Sequence, residues 1–170
     1  MNFSKKFIAS IVFTFLLTFN TICLAENASN DEDYSARIAY YTMMIEKNPN
    51  DGDMYFNRAL AYSIIGGNIN AINDYSKAIE LNPDDAEAHF NRGFLYYNVG
   101  ETKKAIDDLN KAIDLKDDYA QAYVVRGVAY HQMNENKKAI KDLNKAIEFD
   151  TKYQTMRGII YQDMGEDEKA

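Results

Sequence analysis

The residues able to do acid–base or metal chemistry are few in kind and repetitive in place. Histidine occurs twice, as His89 and His131, and cysteine once, as Cys23. Asp74, Asp108 and Asp142 each stand three residues before a lysine, Lys77, Lys111 and Lys145. On a helix that spacing shares a face, so exposed ion pairs of about 0.2–0.5 kcal/mol each are expected. Arg58, Arg92 and Arg126 recur in step with them and could bridge to the same aspartates from a neighbouring helix. Two carboxylates with divergent environments would suit acid–base catalysis, but an arrangement written three times is scaffolding, because an active site is usually singular. There is no phosphate-cradling glycine loop, no Cys/His metal spacing and no G-x-S-x-G element. No catalytic residue, metal ligand or cofactor is therefore expected. His89 falls where its helix needs an aromatic packing residue, and His131 is expected to project from an open helix face.

These positions recur because the sequence around them does. Residues 52–85, 86–119 and 120–153 align without gaps in lines of 34; the second and third lines share 17 residues and the first and second share 13. A fixed period of this length is the signature of a stacked array of supersecondary units. Each line holds two helical phrases. In the first, Tyr62, Tyr96 and Tyr130 follow Ala59, Gly93 and Gly127 by three residues, on one face. Gly66, Gly100 and Asn134 then supply the left-handed residue that ends a helix. In the second, "AINDYSKAIEL", "AIDDLNKAIDL" and "AIKDLNKAIEF" carry one apolar stripe. Pro49 and Pro83 punctuate the ends of such phrases. Small residues recur at Ala71, Ala105 and Ala139 and again at Ala78, Ala112 and Ala146, where helices must approach closely. A lone hairpin cannot bury such a stripe, so neighbours must stack.

With Tyr55, Ala59, Tyr62, Ala71, Tyr75, Ala78 and Pro83 in the first line, the pattern resembles the tetratricopeptide repeat. The second line matches through His89, Gly93, Tyr96, Ala105, Leu109 and Ala112, and the third through Tyr123, Gly127, Tyr130, Ala139, Leu143 and Ala146, with Asp117 and Thr151 in place of the final proline. The resemblance implies an all-α fold, a right-handed α-solenoid of antiparallel helix hairpins. Residues 33–50 fit only a second helix, a half repeat, and 151–170 fit a partial fourth repeat whose Gly158 arrives three residues early, so nearly one helical turn is expected to be missing near Thr151–Gln154. The family's first helices line a concave groove that binds a peptide. Carried over, this implies partner contacts from Phe56, Asn57 and Leu60 in the first line, Phe90, Asn91, Phe94 and Tyr97 in the second, and Val124, Val128 and His131 in the third. Asn57 and Asn91 resemble groove asparagines that bond a peptide backbone; Val125 breaks that series. The cationic clamp that some relatives use for a terminal carboxylate is missing, since Asp53, Glu87, Gln121, Phe56 and Phe90 occupy its places.

The N-terminus differs in composition. Lys5 and Lys6 precede an apolar run from Phe7 to Phe19, a polar break, and "CLA" before Glu26. That is the order of a secretory signal. Residues 1–25 are read as the signal, with cleavage after Ala25, and 26–32 as a polar linker. The alternative is an uncleaved anchor, because Phe7–Leu24 counts 18 residues; Ile22 before Cys23 argues against a lipid-anchored cysteine. Removal of 1–25 takes away two lysines and the lone cysteine, leaving 17 basic and 26 acidic residues, a net charge of −9. That sign excludes nucleic-acid binding by phosphate neutralisation and adsorption to anionic lipid. The expected protein is exported, periplasmic or secreted, and touches a membrane only if the leader is retained. It is a non-catalytic adaptor for a protein or peptide partner, with no small-molecule substrate evident. The rival reading is a structural envelope protein that self-associates head-to-tail through its half repeats at 33–48 and 153–164.

Overall fold

The computed structural model describes residues 31–163. It contains, in order, α1 (Asp31–Lys47), α2 (Gly52–Ile64), α3 (Asn68–Leu81), α4 (Ala86–Asn98), α5 (Thr102–Leu115), α6 (Ala120–Gln132), α7 (Asn136–Phe149), a 3-10 turn (Thr151–Tyr153) and α8 (Gln154–Asp163), with no strand among the described residues. The leader and linker of the sequence reading, residues 1–30, lie outside the described residues, as do 164–170. No described helix is long and apolar enough to cross a membrane. The described chain divides into two compact units, 31–116 and 117–163.

In the N-terminal unit α1 packs on α2, α2 on α3, α3 on α4 and α4 on α5. Its core gathers Ala59, Ala71, Tyr75, Ala88 and Leu95, with Phe56, Tyr62, Ile72 and Ile79 packed against them. Alanine recurs at helix contacts because its single methyl lets two backbones approach while the Tyr and Leu side chains fill the remaining space. In the C-terminal unit α6 packs on α7, which also holds the 3-10 turn and α8. Leu143, Tyr153, Met156 and Ile160 are buried there.

Each hairpin turns in the same way. Gly66, Gly100 and Asn134 have φ of 79°, 85° and 62°. The amides of Gly67, Glu101 and Glu135 each donate to the carbonyl five residues back, on Tyr62, Tyr96 and Tyr130, all at 2.8 Å. This is the left-handed helix termination in which the chain satisfies an orphan carbonyl as it reverses. No atom lies within 4 Å of where a side chain would begin at Gly100, so the cost of replacing it is conformational alone. Gly100→Ala is expected to lose about 1–2 kcal/mol of stability in urea unfolding; a loss below a few tenths would show the turn adapts.

The start of α4 carries the one side-chain cap described for the hairpin helices: Asp85 accepts from the amides of Glu87 (2.9 Å) and Ala88 (3.0 Å). The junction before the last helix is short, as the early arrival of Gly158 suggests. Only Asp150 separates α7 from the 3-10 turn that runs into α8, where residues 116–119 separate α5 from α6, and Asp150 caps that turn through the Lys152 amide. Gly158 follows Asp150 by eight residues, as Gly93 follows its cap Asp85. Nothing lies within 4 Å of a side chain built at Gly158, unlike Gly93 and Gly127, which face the second helix of their own hairpin.

Candidate functional site

The titratable residues resolve first. Arg58 on α2 donates Nε and Nη2 to the two carboxylate oxygens of Asp74 on α3, both at 2.7 Å, and its Nη1 donates to Thr42 on α1 at 3.1 Å. Arg92 repeats this with Asp108 (2.7 and 2.7 Å) and Ser76 (3.0 Å). Arg126 holds Asp142 through two bonds of 2.7 and 2.8 Å. Hydrogen bonding and the charge of Asp74 raise the Arg58 guanidinium further, against the effect of burial. For Arg92 burial acts strongest and downward, and the bonds and charge of Asp108 more than offset it. The bridging expected of the arginines is thus the observed one, and the expected aspartate–lysine pairs are corrected: Lys77 pairs with Glu80, Lys111 with Asp84 and Lys145 with Glu148. The aspartates are buried, where a bidentate guanidinium satisfies both oxygens and a single ammonium would not.

His89 has the packing role expected and a polar one besides. It is buried, with Nε2 3.0 Å from the Pro83 carbonyl and Nδ1 3.3 Å from Asp108. The projection into solvent expected of His131 is corrected. Its residue is 3% exposed and Nδ1 lies 2.9 Å from Asn136 Oδ1, because the first turn of α7 folds back across the end of α6. Among the described residues no group of three or more His, Cys, Asp or Glu is arranged to hold a metal ion. An open depression of about 410 Å³ in the C-terminal unit is lined by Tyr123, Lys141, Arg126 with Asp142, and Lys145 with Glu148; both of those pairings are ion pairs.

The residues expected to line a groove separate into three kinds. On α2, Phe56 and Leu60 are half-buried, and Phe56 sets its edge on the Tyr75 ring at 5.4 Å. Asn57 spends its amide on the Asp53 carbonyl of its own helix, 2.8 Å away. In the C-terminal unit Val124 and Val128 are buried, at 0% and 2% exposure, and with His131 they present almost no accessible surface. On α4 the arrangement is more suggestive. Phe90 and Phe94 stack nearly parallel, with centroids 6.4 Å apart and planes at 12°. Beside them are Asn91 and Tyr97, 8% and 6% exposed. Neither has a side-chain hydrogen-bond partner, yet no fully enclosed polar side-chain atom of the described residues lacks one, so the tips of both reach solvent. Burial pushes the Tyr97 hydroxyl up to about 12. One residue the groove assignment omitted belongs with them. Glu87 lies four residues before Asn91 and three before Phe90, on the same helix side. The residue is exposed overall, yet partial desolvation of its carboxyl, then the charge of Asp85, push that group above the usual range, with Lys116 pulling the other way.

Antiparallel helix hairpins written at a constant 34-residue period define an α-solenoid type of protein. Tetratricopeptide-repeat family models match residues 86–119 and 120–153, and a further TPR-repeat model matches 68–100; together they cover half of the chain, which belongs to the tetratricopeptide-repeat family. No curated protein sequence matches it significantly. Among solved structures, one described as MamA superposes with a TM-score of 0.76 at 28% identity, covering 81% of this chain and 82% of that one. MamA from Desulfovibrio magneticus RS-1 gives 0.76 at 19% identity over 99% and 90%. The first TPR of Spaghetti (RPAP3), bound to an HSP90 peptide, gives 0.64 at 23% identity over 67% and 93%. The all-α fold class expected from the sequence is the one these structures share.

Proposed function

We propose that this chain is a non-catalytic interaction scaffold that holds an extended segment of a protein partner against the α4 face of its N-terminal unit. The observation that carries this reading is the juxtaposition on α4: an aromatic pair, Phe90 and Phe94, flanked by the unpartnered polar tips of Asn91 and Tyr97. Extended backbone arrives with its own donors and acceptors. A site that accepts it needs polar groups not already spent on the fold, next to apolar surface for a side chain. A TPR domain of similar fold holds an HSP90 peptide, which supports peptide capture as an ability of this architecture. The N-terminal leader supports an exported location.

Phe94 is half-buried and Phe90 is 8% exposed, so the disruptive change belongs at Phe94. The chain without residues 1–25, immobilised and exposed to envelope extract, should retain a discrete partner. Phe94→Asp should reduce that capture at least about tenfold while leaving helical circular dichroism intact, since a buried anchor is worth 2 kcal/mol or more. Unchanged capture would move the binding site elsewhere.

Self-association is a second reading, favoured by α1. This helix leaves Tyr40 52% and Met43 43% exposed, a surface that α8 of another copy could cover. Light scattering should then give a mass that rises with concentration and returns to monomer in Tyr40→Glu; a constant monomer mass excludes it.

A further inference from the structure

We infer that the α4 site selects a basic, apolar segment: a bulky uncharged residue against Phe90 and Phe94, and a lysine, an arginine or an N-terminal ammonium opposite Glu87, with Asp53 adding to the same preference. This deepens the proposed function and rests on it.

Acidic charge prevails around Glu87: Asp85 acts on it more strongly than Lys116, the cation that opposes it. Glu87 and Asp53 hold the same place, the second residue, in α4 and α2. Neither is in an ion pair, and both are exposed. The residues that flank them along each helix are neutral up to the arginines: Phe56 and Asn57 on α2, Phe90 and Asn91 on α4. Arg58 and Arg92 do not offset this charge, because each is held by the buried aspartate of the following helix. An acid in the first turn also stabilises its helix through the helix dipole, so a structural role for Glu87 is expected too. That role does not account for Asn91, one turn further on, or for Tyr97 towards the other end of the same helix, each more than nine-tenths buried and left without a partner. Asn91 offers a donor and an acceptor and Tyr97 a hydroxyl, the groups that match a peptide unit. The whole chain carries −7, so a cationic segment is also drawn toward it at a distance, whereas an acidic terminus meets repulsion with no lysine or arginine clamp to receive it.

Three labelled, end-blocked pentapeptides test this by fluorescence anisotropy on the chain without residues 1–25. All share a Leu-Phe-Val centre, flanked on both sides by lysine, glutamine or glutamate. The lysine peptide should bind tightest and the glutamate peptide weakest, with roughly tenfold between them, since each partly exposed charge contact contributes up to about fivefold. Raising NaCl to 0.5 M should shrink that spread. Glu87→Gln combined with Asp53→Asn should reduce it to about twofold. Equal affinities for the three peptides, or tightest binding of the glutamate peptide, would overturn the inference; the groove reading would survive if Phe94→Asp abolished binding of the glutamine peptide. No binding of any of the three would overturn both.

Discussion

Asp108→Ala is expected to destabilise the N-terminal unit by about 3–5 kcal/mol, the range found when one partner of a buried ion pair is removed and the other stays. The side chains of Arg92 and Asp108 are 19% and 8% exposed, and three contacts converge on the carboxylate: two from the guanidinium at 2.7 Å and the His89 ring at 3.3 Å. Truncation strands a guanidinium that burial already disfavours. Removing both charges is a different experiment. Arg92→Met with Asp108→Leu should be far less damaging, near neutral, because the desolvation of both ions disappears with their attraction. Urea unfolding of the two variants and the parent decides the matter. A double variant as unstable as Asp108→Ala would mean that Ser76, which also binds Arg92, and the other neighbours carry the effect. A single variant within 1 kcal/mol of the parent would refute the account.

The second large effect turns on two glycines of similar sequence context and opposite surroundings. A β-carbon at Gly93 would lie 3.1 Å from Asp108 Cβ, 3.1 Å from Leu109 Cγ and 3.2 Å from the Ala105 carbonyl, all on α5. The larger Gly93→Val should therefore cost about 2–3 kcal/mol through overpacking, more than the roughly 1 kcal/mol of helix propensity that replacing a glycine can return. Gly158→Ala meets nothing within 4 Å and should gain about 0.5–1 kcal/mol. Thermal unfolding should thus move in opposite directions for the two variants. The first hairpin shows how the tight position can be built otherwise. Ala59 occupies it, fully buried, and faces Tyr75 where the later hairpins have Leu109 and Leu143. If Gly93→Val were neutral, α4 and α5 would have to part more easily than these contacts imply.

Much of the fold was legible because it depends on local rules repeated three times. A residue that must turn left-handed is a glycine or asparagine, and Gly66, Gly100 and Asn134 do turn so. An apolar stripe at helical spacing must be buried, and Tyr75, Leu109 and Leu143 are. The site was legible in its aromatic members and less so in its polar ones. Asp108 and Lys111 satisfy the helical spacing rule as well as any pair, yet Asp108 belongs to Arg92. Spacing states which side chains can meet; desolvation chooses among them, and a forked donor on the next helix is the better partner for a buried carboxylate.

Sequence by itself determined the period, the hairpins, the turns and the small residues at helix contacts, since each follows from a residue's own conformational range or volume. It also determined the acidic balance and the lack of groove lysines. Tertiary structure decided which members of an equivalent set remain available. Asn57 and Asn91 stand at the same register, yet Asn57 bonds its own helix and Asn91 bonds nothing. Val128 and His131, read as groove residues, are buried. Accessibility is a property of what packs around a side chain, and no residue's identity or spacing contains it.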